Sequence, residues 1–259
     1  MKNVIMNHLL ASIMFGVLVA VSGPPAWAQA NSADSLQIVL VIGQSNMAGR
    51  AEVGEQPPLT HVSLLNDQGR WIPAKNPLNA YSSVRKEMDM QRLSPAYAFA
   101  REMVKSKDYR PLGLVVNAKG GTAIKEWMPG EELYTEAVRR AKQAQAQGTL
   151  IGIIWHQGES DAENPDHYLW DIEVLINSLR EDLGAPSLPF VAGQLSEDQP
   201  QRRKFNQLIL QLPEVVPNSA VVKSKGLTTF DKTHFDTKSQ LTLGKRYAHE
   251  MKKLLKKQR

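Results

Sequence analysis

Hydrophobic residues in this chain fall into two kinds of run. The first is short and continuous: Leu36 to Ile42 (LQIVLVI) is apolar at nearly every position and is bounded by Gly43, the pattern of a strand buried on both faces. Leu112 to Val116, Leu150 to Trp155, Leu188 to Ala192 and, more weakly, Ala220 to Val222 repeat it. The second kind has helical spacing. Leu133, Ala137, Ala141 and Ala144 share one face of a helix closed by Gly148, and Tyr168, Ile172, Leu175, Leu179 and Leu183 form a stripe ending at Gly184. Phe205, Leu208, Ile209 and Leu212 form another, stopped by Pro213. Ser94-Pro95 reads as the N-cap and first-turn proline of a further helix. Thr237-x-x-Gln240 reads as a capping box opening a last one, whose inner face is Leu241, Gly244, Ala248, Met251 and Leu255. Strands interleaved with helices predict an α/β fold, a parallel, doubly wound sheet in one domain. The stretch from Arg50 to Arg92, with four prolines and no sustained period, predicts a long loop-rich insert of the kind that is usually functional or partly disordered.

The segment before the first strand follows a different logic. Lys2, the apolar run Leu9 to Val21, the helix-breaking Gly23-Pro24-Pro25 and then Ala26-Trp27-Ala28 make a secretory signal peptide, residues 1–28, with cleavage expected after Ala28. The mature domain is then 29–259, secreted or periplasmic. An apolar run of 13 residues falls short of the roughly 20 that span a bilayer, and no later segment approaches that length, so no membrane span is expected.

Composition narrows the chemistry. The 259 residues include no cysteine, which excludes disulfides, thiolate zinc sites and a cysteine nucleophile. The formal net charge of +5 suggests a nucleic-acid partner until its position is checked. Residues 245–259 hold seven Lys or Arg against Glu250 alone, and the rest of the chain is close to neutral, so no nucleic-acid partner is expected. None of the six histidines forms H-E-x-x-H or another close ligand pair, so no metal site is expected either.

In open α/β sheets ligands bind beyond the carboxyl ends of the strands, so the residues after each strand carry the candidate chemistry. After the first comes Gly43-Gln44-Ser45-Asn46-Met47-Ala48-Gly49, a serine on a tight strand-to-helix turn. Such a turn presents a hydroxyl as a nucleophile, although a helix-capping serine or a phosphate-binding turn has the same look. After Val116 comes Asn117-Ala118-Lys119-Gly120-Gly121-Thr122, whose paired glycines allow backbone N–H groups close to a substrate oxygen. After Trp155 comes His156-Gln157-Gly158-Glu159-Ser160-Asp161, where the amide of Gln157 is a candidate oxyanion donor. Glu159 and Asp161 suit either chemistry or the holding of nearby N–H groups. Near the C-terminus, Asp231-x-x-His234 has the spacing that lets the carboxylate accept from Nδ1–H and leaves Nε2 free to take a proton from a serine.

Taken together, Gly43-Gln-Ser-Asn-Met47, Asn117-x-x-Gly-Gly-Thr122, Trp155-His-Gln-Gly-Glu-Ser-Asp161 and Asp231-x-x-His-Phe235 resemble, in the same order, the motifs of SGNH-type hydrolases. The likeness is to the carbohydrate-esterase branch that includes acetylxylan esterases and sialate O-acetylesterases, and it runs from about Leu36 to Ala248. The resemblance implies a flavodoxin-like three-layer α/β/α fold and cofactor-free hydrolysis of acetyl esters on sugars. It also implies roles: Ser45 as nucleophile, His234 as base, Asp231 as its orienter, and an oxyanion hole from the N–H groups of Ser45 and Gly120, with Gly121 as the alternative, plus the side chain of Gln157. The implied partner is an acetylated carbohydrate of xylan type or a sialic acid, with Gln44 and Glu159 as further substrate-binding candidates. Trp71 and Tyr81, in the Arg50 to Arg92 insert, and Trp127 are expected to wall the sugar side. Another ester substrate on the same fold, lipid, thioester or peptidoglycan acetyl, and a non-catalytic carbohydrate-binding relative are the alternatives.

Overall fold

The computed structural model describes residues 35–259; the expected signal peptide and its cleavage point lie outside the described residues. Five parallel strands follow the continuous apolar runs: β1 (Gln37–Gly43), β4 (Leu112–Ala118), β5 (Thr149–His156), β6 (Phe190–Gly193) and β7 (Ser219–Val222). Two more, β2 (Val62–Leu65) and β3 (Trp71–Pro73), lie inside the insert that was expected to be loop-rich. Neither is announced by a continuous apolar run: β2 is VSLL, interrupted by Ser63, and β3 is the three residues WIP. The hairpin turn between them is organised by Asn66, whose Oδ1 accepts from the N–H groups of Gln68 (3.0 Å) and Arg70 (2.8 Å). The seven-stranded sheet has the order β3-β2-β4-β1-β5-β6-β7, with only β3 antiparallel to its neighbour.

The alternation of side chains along a strand builds two cores from one sheet. In β1, Ile38, Leu40 and Ile42 point to one face, and Val39 and Val41 to the other. The first face is covered by α3 (Glu132–Gln145), α4 (Tyr168–Asp182) and α5 (Pro200–Ile209), followed by the short α6 (Leu212–Val215). The second is covered by the single-turn α1 (Ser45–Ala48), α2 (Pro95–Met103) and α7 (Thr237–Lys257). The result is the expected three-layer α/β/α domain.

Two helix boundaries differ from expectation for local reasons. Pro213 does not stop a helix; it occupies the first turn of α6, where its missing N–H costs nothing. The cap of α7 is Asp236, whose side chain accepts from Ser239 N–H at 2.8 Å, and Gln240 turns instead to Asn46. The buried face of α7 is Leu243, Gly244, Tyr247, Ala248, Met251 and Leu254, with Leu241 and Leu255 only partly covered. Gly244 sits where α7 presses on α2: a Cβ there would lie 2.2 Å from Pro95 O.

Candidate active site

Ser45 opens α1 immediately beyond the end of β1. The preceding Gly43 has φ +136°, and a Cβ on it would lie 2.2 Å from His156 O, so only glycine lets the end of β1 lie this tightly on the end of β5. Gln44 N–H donates to His156 O (2.8 Å) and Lys119 N–H to Gly43 O (3.0 Å), which ties the loops after β1, β4 and β5 together. The 231–234 turn arrives from the segment between β7 and α7. His234 Nε2 stands 2.9 Å from Ser45 Oγ, and His234 Nδ1 stands 2.6 Å from Asp231 Oδ2. Asp231 Oδ1 accepts from the N–H groups of His234 (2.7 Å) and Thr233 (3.0 Å). Burial pushes the Asp231 carboxyl up, but His234 and those two N–H groups outweigh it and hold the group below the usual carboxylate range.

Gly120, not Gly121, is the glycine beside the serine. A Cβ on Gly120 would lie 3.3 Å from Ser45 Cβ and 2.5 Å from Arg50 Nη2, whereas Gly121 is exposed and faces Lys86. The N–H groups of Ser45 and Gly120 have no protein acceptor among the described residues.

Gln157 is differently placed from the expectation. Its amide nitrogen faces three acceptors, Asp161 Oδ2 (2.5 Å), Thr122 O (2.8 Å) and Gln44 Oε1 (3.2 Å), while its Oε1 accepts from Tyr168 O–H (2.9 Å). Two amide hydrogens cannot serve three acceptors and an oxyanion as well, so the side chain is a brace between the loops in this arrangement. Asp161 completes the brace by accepting from Ile124 N–H, and burial raises its carboxyl.

Four other expected substrate contacts are corrected by their surroundings. Gln44 is buried, its Oε1 taken by Gln157 and by Gly158 N–H (3.3 Å). Glu159 accepts from Asn46 Nδ2 at 2.6 Å inside the protein. Trp71 lies in the edge strand β3 and its ring reaches back over Gly113, near the start of β4 and away from the strand ends that carry Ser45. Trp127 is fully buried, edge-on to Trp155 at 5.2 Å, with its N–H donated to Thr122 Oγ1. Trp127 is part of the core, and Trp71 packs partly buried against it. Tyr81 is half-buried and packs against the α2/α7 side.

Several residues that pattern alone does not single out hold the site. Asn46, fully buried beside the serine, donates to Glu159 and to Thr233 O (3.2 Å) and accepts from Phe235 N–H (3.1 Å) and Gln240 Nε2 (3.1 Å). It thereby joins the serine turn to the histidine turn. Arg202, on α5, donates to Lys232 O (2.6 Å), Ser196 Oγ (2.8 Å) and Thr233 Oγ1 (3.1 Å). Asn79, in the insert, pairs with the backbone of Ala118 through both Oδ1 and Nδ2, each at 3.0 Å. Among the described residues no three His, Asp or Glu side chains converge as a metal site needs.

Comparison with known proteins gives one consistent picture. Residues 35–253 match the family described as "carbohydrate esterase, sialic acid-specific acetylesterase". A "probable carbohydrate esterase" of Arabidopsis thaliana is 33% identical over 232 residues, covering 80% of this chain and 87% of its own length. The crystal structure of that plant protein superimposes with a TM-score of 0.77 at 31% identity, covering 85% of this chain and 98% of that one. A carbohydrate acetylesterase from Xanthomonas citri shares the fold at 20% identity, with a TM-score of 0.62 over 85% of this chain and 57% of that one.

Proposed function

Because the chain belongs to the sialic acid-specific acetylesterase family of carbohydrate esterases, and is therefore a carboxylic ester hydrolase acting on acetylated carbohydrate, we propose that Ser45, His234 and Asp231 are its catalytic triad. The observation that carries this reading is the unbroken relay from Ser45 Oγ through the His234 ring to Asp231, at 2.9 and 2.6 Å.

Asp231 accepts the Nδ1 proton and so presents a lone pair on Nε2 to the serine. As Ser45 Oγ attacks the acetyl carbonyl carbon, its proton passes to His234 Nε2, and the carbonyl electrons move onto oxygen. The unpaired N–H groups of Ser45 and Gly120 are the donors for that oxyanion. His234 then returns the proton to the departing sugar oxygen, leaving an acetyl-serine. Water attacks in turn, giving its proton to His234, and acetate leaves as Ser45 regains its hydrogen. Gln157 keeps the loops carrying these donors in register, and it can add a third donor only by releasing one of its present acceptors.

In the same reading the substrate is an O-acetylated xylan-type polysaccharide or sialic acid, and the enzyme acts outside the cytoplasm after loss of residues 1–28. The test is acetate release from 4-nitrophenyl acetate and from an acetylated sugar. Ser45→Ala should lower kcat/KM by roughly three powers of ten or more while the fold is retained. Equal rates for the two proteins would overturn the assignment.

A further inference from the structure

Beside His234 lies a cavity of about 350 Å3 that the triad does not use, lined by Arg50, Glu52, Arg92, Phe230, Asp236 and Thr237. Two contacts connect it with the reacting centre. The Phe230 ring stacks on the His234 imidazole, with centroids 5.9 Å apart and planes at 25°, and it remains 56% exposed. Arg50 reaches from the cavity to the glycine beside the serine, so the guanidinium edge, Gly120 and Ser45 share one small surface.

Arg50 is a built feature. Its Nη1 donates to Gly49 O (2.8 Å) and Met90 O (3.0 Å), which fixes the plane of the group, while Nη2 and Nε have no protein acceptor among the described residues. No carboxylate among the described residues lies within 4.0 Å of either Arg50 or Arg92. Burial already works against the charge on Arg50. A half-buried cation without a counterion is a costly arrangement that an incoming anion relieves. The two carboxylates in the wall do not fill that role. Asp236 is spent on Ser239 N–H and the Thr228 hydroxyl at the start of α7, and Glu52 stands exposed at the rim without an ion pair.

We propose that this cavity is the subsite for the acidic part of the substrate: an O-acetylated sugar whose carboxylate pairs with Arg50 and Arg92 and whose ring lies on Phe230, while its acetyl group reaches Ser45. A planar guanidinium edge suits a carboxylate, and the open aromatic face suits the C–H face of a sugar ring. The proposal rests on Ser45 being the nucleophile, and it selects acidic over neutral acetylated sugars.

A sugar carboxylate has two common sources, sialic acids and uronic acids. The experiment therefore compares kcat/KM for an O-acetylated sialic acid and for an O-acetylated uronic acid glycoside, each beside its carboxyl methyl ester. In at least one pair the acid should exceed its ester by roughly tenfold, with the advantage shrinking as salt rises; that pair identifies the source. Arg92→Gln, on the exposed side of the cavity, should reduce the acid-to-ester ratio by about tenfold, chiefly through KM. Arg50→Gln should do the same, with thermal unfolding confirming that the protein is folded. Methyl esters turned over as well as the acids, or a ratio that survives both substitutions, would overturn the subsite. Acetate release from none of these compounds would likewise overturn the subsite; the Ser45 reading is checked separately by 4-nitrophenyl acetate, where loss of turnover in Ser45→Ala leaves it standing and equal turnover removes it.

Discussion

The hydrogen bond between Ser45 and His234 depends on side chains that touch neither reacting atom. Lys232, inside the histidine turn, has φ +67°, an uncommon conformation for a residue with a side chain. Arg202 donates to its carbonyl and to the next threonine, and so opposes relaxation of the turn. Arg202→Ala should lower kcat by one to two powers of ten with little change in KM, because a displacement of about 1 Å at a catalytic group costs on the order of a hundredfold. Steady-state kinetics on 4-nitrophenyl acetate decide it, and a wild-type kcat would show that the turn holds itself. At this scale the contact between Asp231 and His234 was legible, since Asp-x-x-His in a turn can hardly avoid making it. Asn46 and Arg202 were not, because their partners lie up to 194 residues away along the chain. The two tryptophans misled for a related reason: an aromatic side chain fits a sugar wall and a core equally well until its neighbours are known.

Among the elements, β5 carries the largest hidden constraint. Its last residue, His156, is fully buried. Tyr247 donates its hydroxyl proton to Trp155 O (2.7 Å), so the Tyr247 hydroxyl oxygen, 3.0 Å from His156 Nδ1, accepts the histidine proton and fixes the ring in its Nδ1–H form. Glu159 lies 3.7 Å from Nε2 and favours a charged ring, but burial outweighs it and the pKa of His156 is lowered. An unfolded histidine titrates near pH 6.5, so below that pH the unfolded chain binds a proton that the folded protein refuses until its own lower pKa is reached. Stability is thus fully present above about pH 6.5 and is lost as the pH falls, by at most about 1.4 kcal/mol per pH unit from this group. Urea unfolding between pH 7 and 5 should show the slope in the wild type and a shallower one in His156→Gln; equal slopes would exonerate the residue. The Asp231 carboxyl, with its lowered pKa, enters only at more acidic pH. The five parallel strands that follow continuous apolar runs and the main helices could be read from period and punctuation, whereas the β2–β3 hairpin could not, since the segments VSLL and WIP make no continuous apolar run.

For the whole molecule, the sheet order is what turns four separated motifs into one site. With β1 central between β4 and β5, the loops after all three meet at one edge, and the long chain excursion through β7 brings the histidine turn over them. The insert returns to the same place: Arg92 N–H donates to Gly49 O (3.2 Å), which is how Arg50 and Arg92 come to line one cavity. No described helix is long and apolar enough to cross a membrane. The proposed export makes a prediction of its own: protein recovered from the periplasm or medium should begin at Gln29, and recovery of the chain with Met1 intact from those fractions would overturn it.

By itself, the sequence determined the class of fold and the family and nominated the candidate groups, because each is written in local period, short spacing or motif order. The tertiary structure alone decided that Gly120 rather than Gly121 adjoins Ser45, that Gln157 is engaged as a brace, that Trp127 is core while Trp71 packs partly buried against it, and that an unpaired guanidinium faces a cavity beside His234. Each of these is a statement about burial or about a partner distant in the chain. Such contacts follow from how strands are ordered and loops converge, and no window of sequence contains that information.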